Sequence, residues 1–196
     1  QSLQAISNAW VFLQNGKLAD SLCVNTKPIY VTKTNTDGTY YFNNLNDEHY
    51  KIFALDGVDL YYNISDKIAF SADAINAKTD SNKTLYLFDP LYQHKTVKDS
   101  LLTKEKKKED SGKIVLNCMT NDNLIIQLYD EKKLITEYFF KYGPYVLDNI
   151  PSGKYHLKII IDSNKNNKWD TGNLKTQILP EKIIEISDEI NVRENW

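Results

Sequence analysis

The feature that most constrains the fold of this chain is an alternation of apolar and polar residues with a period of two. In residues 154–161, every second position is apolar: Tyr155, Leu157, Ile159 and Ile161. Successive side chains of a β-strand point to opposite faces, so these four side chains share one face, as in a half-buried strand. Further predicted strands are residues 10–13, 29–32, 40–42, 50–53, 85–88, 114–116, 124–129 and 182–186. Because turn-forming clusters separate these aromatic and β-branched runs, we predict an all-β protein.

The strand pattern fails between residues 89 and 112. Residues 103–110 form a charge run, Thr-Lys-Glu-Lys-Lys-Lys-Glu-Asp, with no apolar side chain to bury. The acids beside the lysines cancel most of the local field, which favours a linker or exposed loop over a basic binding patch. We therefore predict a first domain over residues 1–90, a linker or long loop over 91–111, and a second domain over 112–196.

The two predicted domains resemble each other in sequence. Residues 38–45, Gly-Thr-Tyr-Tyr-Phe-Asn-Asn-Leu, lead through a short turn to Tyr50, and residues 143–150, Gly-Pro-Tyr-Val-Leu-Asp-Asn-Ile, lead in the same way to Tyr155. Each segment ends five positions before its tyrosine, so both hairpins should have the same geometry. This internal repeat predicts two similar antiparallel β-sandwiches in tandem.

The charge balance excludes nucleic acid as a partner. The chain has 24 basic and 26 acidic residues and a net charge of −2, and Arg193 is the single arginine. A near-neutral surface of lysines provides neither a steering field nor the bidentate fork that reads phosphates and bases. No apolar run approaches the roughly 20 residues that a membrane-spanning helix needs. We expect this segment to be soluble, with any targeting signal upstream of Gln1.

Cysteine and histidine residues give no catalytic pattern. Cys23 and Cys118 fit no zinc or redox motif, which favours two unpaired thiols but leaves open one disulfide in an oxidising compartment. His49 is predicted in a turn, His94 in the linker and His156 on the solvent face of a strand. None has a Ser, Cys or acid at a spacing that suggests a nucleophile or a general base. We therefore predict that the protein is not an enzyme.

One loop carries a spacing typical of calcium ligands. Asp162, Asn164, Asn166 and Asp170 stand at positions 1, 3, 5 and 9, and the backbone carbonyl of Lys168 would be available at position 7. Calcium takes six to eight oxygen ligands, and such a loop can point them at one centre. The alternative is that these side chains only close turns while Trp169 plugs the bottom of the sandwich.

Two departures weaken the predicted calcium site. Asn167 replaces the usual glycine, although asparagine tolerates the left-handed conformation. Position 12 is Asn173 in place of a bidentate glutamate, which leaves two negative charges unless Glu181 joins the site. We expect weak affinity, on the order of 10⁻⁴ to 10⁻³ M. The equivalent positions of the first domain include Gly57 and Tyr61, so only the second domain should bind the ion.

Tyrosines in predicted loops are further candidates for binding. Tyr61, Tyr62 and Tyr92 could stack on sugar rings or anchor a partner protein, and the alternative is that they pack over the open ends of a sandwich.

The repeated motif resembles a known family of domains. Asp37-Gly38, followed by the aromatic run 40–42 and by residues 50–55, Tyr-Lys-Ile-Phe-Ala-Leu, resembles the transthyretin-like, collagen-adhesin B-type sandwich, also found as the carboxypeptidase regulatory-like domain. The match covers about residues 9–88 and, more loosely, 112–190. Residues 162–173 with Leu179-Pro180-Glu181 resemble the end of a Bacteroidetes envelope-protein family that places an SbsA-type Ig-like domain before such sandwiches.

That resemblance implies an exported protein in the periplasm or at the cell surface, associated with the outer membrane through a lipid anchor upstream of this segment. It implies a structural or interaction module that docks with other envelope proteins. A carbohydrate-binding accessory domain, with a glycan as its partner, is the alternative function.

Overall fold

The computed structural model describes residues 4–80, 82–92, 111–131, 133–141 and 143–193. Within these residues the protein is all-β, with twelve strands and a single four-residue helical turn, which confirms the predicted fold class. None of the helical structure described is long and apolar enough to cross a membrane. The chain divides into two compact units. Unit 1 comprises Gln1–Gln93 and Thr171–Pro180, and unit 2 comprises His94–Asp170 and Glu181–Trp196.

Unit 1 is built on one antiparallel sheet. Its elements are β1 (Trp10–Asn15), α1 (Asp20–Cys23), β2 (Tyr30–Lys33), β3 (His49–Asp56), β4 (Lys67–Phe70) and β5 (Ile75–Asn76). The strand order is β2-β1-β3-β4, and β5 pairs with the start of β3. The register places Phe53 of β3 opposite both Phe12 and Phe70, so the three rings form the centre of one face.

Both faces of this sheet are buried. One face packs Phe12, Leu55 and Phe70 against Phe88, and the other packs Val11, Leu13, Ile52 and Ala69 under Tyr40, Phe42, Leu85 and Leu87. The predicted strands 40–42 and 85–88 are therefore wrong as strands. Alternation in these runs reports alternate burial of side chains, but among them only Phe88 forms a backbone bridge, with Ile68.

Unit 2 contains two packed sheets. Its strands are β6 (Ser111–Leu116), β7 (Asn123–Asp130), β8 (Lys133–Phe140), β9 (Tyr145–Pro151), β10 (Gly153–Asp162), β11 (Ile183–Glu185) and β12 (Ile190–Val192). The larger sheet has the order β11-β10-β7-β8 with β12 also paired to β10, and β6 pairs with β9. Ile126 and Leu157 of the larger sheet pack against Tyr145 and Leu147 of the smaller one, which makes the unit sandwich-like.

The main sheets of the two units share one strand order. The order β2-β1-β3-β4 in unit 1 corresponds to β8-β7-β10-β11 in unit 2, and β5 and β12 each pair with the central strand. Tyr50 and Tyr155 occupy the same place, near the start of β3 and of β10. The pair β6–β9 has no paired counterpart among the described residues of unit 1, where the covering segment 39–45 lies outside any strand.

The units do not follow the predicted domain boundaries at one place. Residues 171–180, which the sequence analysis assigns to the second domain, belong to unit 1. The physical reason is burial: Gly172 lies against the Phe88 ring, and Leu174 packs on the same apolar cluster. Most of the predicted linker, residues 93–110, lies outside the described residues.

Candidate functional site

The predicted calcium loop follows β10, the central strand of the larger sheet in unit 2. Asp162 is the last residue of that strand, and its side chain is fully buried. Its two carboxylate oxygens accept hydrogen bonds from the backbone N–H groups of Asn166, at 3.1 Å, and Asn167, at 2.9 Å. A buried carboxylate needs such donors, since an unpaired charge in the interior is costly. Asp162 therefore holds the backbone of the loop in its turn.

The other predicted ligands converge on Asp170. The side-chain amides of Asn164 and Asn166 both donate to Oδ2 of Asp170, the second at 2.6 Å. The Lys168 N–H in turn donates to Oδ1 of Asn166 at 2.8 Å. The structure thus brings Asp162, Asn164, Asn166 and Asp170 together around one short loop. The hydrogen bonds also close the turns, as the alternative interpretation predicts.

The backbone of the loop confirms one expectation from the sequence. Asn167 has a φ of 59°, in the left-handed region, where an EF-hand-type loop normally has glycine. Lys165 is also left-handed, with a φ of 63°. Asparagine adopts this conformation at lower cost than most residues, because its short polar side chain bonds locally. The departure from glycine at position 6 therefore does not prevent the bend.

Glu181 follows the loop in the chain and forms hydrogen bonds with both ends of it. Its carboxylate accepts the N–H of Ser163 at 2.9 Å and the N–H of Asp170 at 3.1 Å, and its own N–H donates to the Asp170 carbonyl at 3.1 Å. Burial raises the pKa of the Glu181 carboxyl above its usual range, and the nearby Asp162 and Asp170 carboxylates raise it further against the lowering effect of the two N–H donors. Glu181 therefore brings a third carboxylate next to the loop.

Trp169 anchors the loop to the sheet. Its ring is buried with Ile125, Ile160 and Ile183, and its indole N–H donates to the Glu181 carbonyl at 3.0 Å. This cluster is separate from the core between the two sheets, which contains Ile126 and Leu157. The alternative interpretation of the loop has Trp169 plugging the bottom of the sandwich, whereas the structure places the ring outside the inner core. The ring covers the outer face of the larger sheet, because Ile125 and Ile160 point away from the inner core.

The donor set of the loop fits calcium in chemical type. Three carboxylates and two amide groups supply oxygen, the ligand atom that calcium prefers. In the present arrangement the amide N–H groups of Asn164 and Asn166 donate to Asp170, and a rotation of each amide by half a turn would present oxygen in their place. Within the described residues, no three His, Cys, Asp or Glu side chains form a ready metal-binding group.

The equivalent loop of unit 1, residues 57–66, exposes three large apolar side chains beside its polar residues. Val58 is 99% exposed, Tyr61 is 72% exposed and Ile64 is 53% exposed. Leu60 and Tyr62, by contrast, pack against the Phe12 and Phe53 cluster beneath. Of the three predicted aromatic candidates, Tyr61 and Tyr92 are therefore exposed, and Tyr62 packs on the core. Sequence reasoning did not identify Val58 and Ile64, because no pattern distinguishes an exposed apolar loop residue from a buried one.

The histidines and cysteines considered in the sequence lie in different parts of the chain. His156 is exposed on β10, as predicted, whereas His49 begins β3 and approaches the Asn76 amide at 3.4 Å. His94 lies outside the described residues. Cys23 is buried and Cys118 half-buried, and no disulfide joins them.

Neither profiles of protein families, nor curated proteins, nor solved structures give a match to this chain.

Proposed function

We propose that this chain is a non-enzymatic structural and interaction module of an exported cell-envelope protein, which docks within an outer-membrane-associated assembly through the loop 57–66 of unit 1. The observation that carries the proposal is the outward position of Val58, Tyr61 and Ile64. Apolar side chains that are exposed at a loop contribute little to folding. Each would contribute roughly 1.5–3 kcal/mol if fully buried against a partner.

The loop is held in one conformation, which favours binding. The Asp59 carboxylate accepts the Tyr61 N–H at 2.8 Å, and the Asp66 carboxylate accepts the Asn63 N–H at 2.8 Å. The Asp66 N–H closes the same turn on the Asn63 carbonyl at 2.9 Å. A loop that is already ordered loses less conformational entropy on binding than a flexible one. Exposed aromatic side chains on such a loop are typical anchors of protein interfaces.

The cellular setting is the part of the proposal that rests on sequence motifs. The motif 162–173 with Glu181 resembles the Bacteroidetes envelope family described above. Membership would place the chain behind an upstream lipid anchor, in the periplasm or at the cell surface. Other envelope proteins would then be its partners.

A pull-down from native membranes tests the docking proposal. The bait is the full chain with Val58, Tyr61 and Ile64 each changed to Ser, compared with the wild-type chain. Val115→Ser is the matched control, because Val115 is an exposed apolar residue of unit 2. We expect the wild-type and Val115→Ser baits to retain the same envelope proteins and the triple variant to lose them. Equal retention by all three baits would contradict the proposal.

A carbohydrate-binding module is the second candidate. It is favoured by exposed aromatic rings in unit 1, among them those of Tyr41, Tyr61 and Tyr86. Sugar rings stack on exposed aromatic faces, so a glycan ligand would use one or more of them. A glycan array with no hits for the wild-type chain would remove this candidate.

We also propose that unit 2 binds calcium weakly, at Asp162, Asn164, Asn166, Asp170 and the Lys168 carbonyl, with Glu181 as a further ligand. The support is that the Asp162 and Asp170 carboxylates belong to this loop and lie near enough to Glu181 to raise its pKa. Bound calcium would supply a positive charge that offsets their mutual repulsion. The ion would be structural, and its role would be to hold the loop on the sheet.

A further inference from the structure

Residues 171–180, which we call the arm, form a loop whose two ends lie close together. Glu181 N–H donates to the Asp170 carbonyl at 3.1 Å and so ties the two ends of the arm together. Within the arm, Asn173 and Ile178 exchange two backbone hydrogen bonds, of 2.7 and 3.0 Å, which make a tight hairpin. The arm is therefore ordered by its own hydrogen bonds and belongs to unit 1, although its sequence lies in the C-terminal half of the chain.

The arm packs against the outer end of the Phe88 ring. Gly172 is buried, and a Cβ atom at that position would lie 2.6 Å from Cζ and 2.7 Å from Cε1 of the Phe88 ring. These distances are far inside van der Waals contact, so only glycine permits the approach. Phe88 is itself fully buried and is fixed by backbone hydrogen bonds of 2.9 and 3.0 Å to Ile68.

Two further contacts extend the docking of the arm. Leu174 packs on the apolar cluster that contains Phe88 and Cys23. The Thr171 hydroxyl donates to the Asp89 carbonyl at 2.7 Å. Steric fit, apolar burial and one directed hydrogen bond thus act on three of four successive residues of the arm. This combination is what a specific peptide-binding site needs, because each term rejects a different kind of wrong sequence.

We propose that the surface of the N-terminal half around Phe88 and Asp89 is a binding site for the arm, and that the arm fastens residues 94–196 to residues 1–93 without the covalent connection between them. Gly172 is the specificity-determining residue of this site and Leu174 its apolar anchor. The contacts that dock the arm involve none of the proposed calcium ligands and none of the exposed side chains Val58, Tyr61 and Ile64.

The test uses the full chain with a protease recognition sequence inserted after Lys106. After complete cleavage, size-exclusion chromatography with light scattering at low micromolar concentration measures whether the two fragments remain together. We expect the cleaved parent to elute as one particle with the mass of both fragments. We expect Leu174→Ala and Gly172→Val to raise the dissociation constant by about tenfold or more.

Lys175→Ala is the matched control, because Lys175 is an exposed residue of the same arm. Its cleaved fragments should remain together as in the parent. Circular dichroism of each uncleaved variant identifies any variant that fails to fold, and Leu174→Ala, which creates no clash, then carries the test. Separation of the parent fragments, or retention in the folded Leu174→Ala variant as tight as in the control, would overturn the proposal.

Discussion

The hydroxyl group of Tyr155 donates a hydrogen bond to the carbonyl oxygen of Pro151, four residues earlier in the chain, at 3.0 Å. Tyr50 makes the same bond to the carbonyl of Asn46 at 3.2 Å, also across four residues. Each tyrosine therefore pins the turn that leads into the central strand of its unit. The two copies of the sequence repeat therefore form the same hydrogen bond.

We predict that Tyr50→Phe and Tyr155→Phe each lower the free energy of unfolding by about 1 kcal/mol. Each substitution removes one hydrogen bond and leaves the acceptor carbonyl without that donor. Chemical denaturation of the full chain measures the change. Tyr41→Phe is the control, since Tyr41 is an exposed tyrosine outside any strand, and it should have little effect. A loss at one site only would show that the two contacts are not equivalent.

The left-handed residue Asn167 gives a second prediction. Asn167→Ala should destabilise unit 2 by about 1 kcal/mol, because an ordinary L-residue pays a steric cost at a φ of 59°. Asn167→Gly should be neutral or slightly stabilising, because glycine adopts this conformation freely. Thermal unfolding of the two variants provides the measurement. An alanine variant as stable as the glycine variant would contradict the backbone assignment.

Calcium binding can be followed by the fluorescence of Trp169, whose indole contacts Glu181 at the edge of the loop. We predict a saturable change at calcium concentrations on the order of 10⁻⁴ to 10⁻³ M, and its loss in Asp162→Ala and Asp170→Ala. Asp66→Ala, in the equivalent loop of unit 1, is the control and should titrate as the parent does. Calorimetric heats that are equal in the parent and in the two loop variants would end the calcium proposal.

The raised pKa of Glu181 predicts a dependence of stability on pH. A carboxyl group whose pKa is higher in the folded state than in the unfolded state binds more protons when folded, so its contribution falls as pH rises. The contribution is fully present below the ordinary pKa of 4.5 and is lost as pH rises through the raised value. Glu181→Gln should remove this part of the pH dependence. Denaturation curves of both proteins across this range measure it, and parallel curves would contradict the prediction.

The strands that sequence could predict are those whose backbone pairing and side-chain burial agree. In β10, Tyr155, Leu157 and Ile159 face the core on every second position, and the strand is paired on both sides. Residues 40–42 show a similar pattern, but their side chains cover a sheet without joining it. Strand β8 was not predicted, because Leu134 to Tyr138 are half-buried on both faces and give no alternation.

The candidate site was predictable in part for a related reason. The spacing of Asp162, Asn166 and Asp170 is local, so the sequence indicates that the side chains can meet. Glu181 reaches the loop only after the arm returns, and Gly172 meets Phe88 only through the fold. Contacts between residues so distant in the chain have no periodic signal. The exposure of Val58 depends on what does not cover it, which a single sequence does not record.

Site-specific photocrosslinking in cells of the native host tests the docking loop most directly. A photoreactive amino acid at position 58, in the protein expressed from its own gene, should give a crosslinked product with an envelope protein. The same amino acid at position 115, in unit 2, should give none. No product from position 58, or the same product from both positions, would contradict the account of this chain as a docking module.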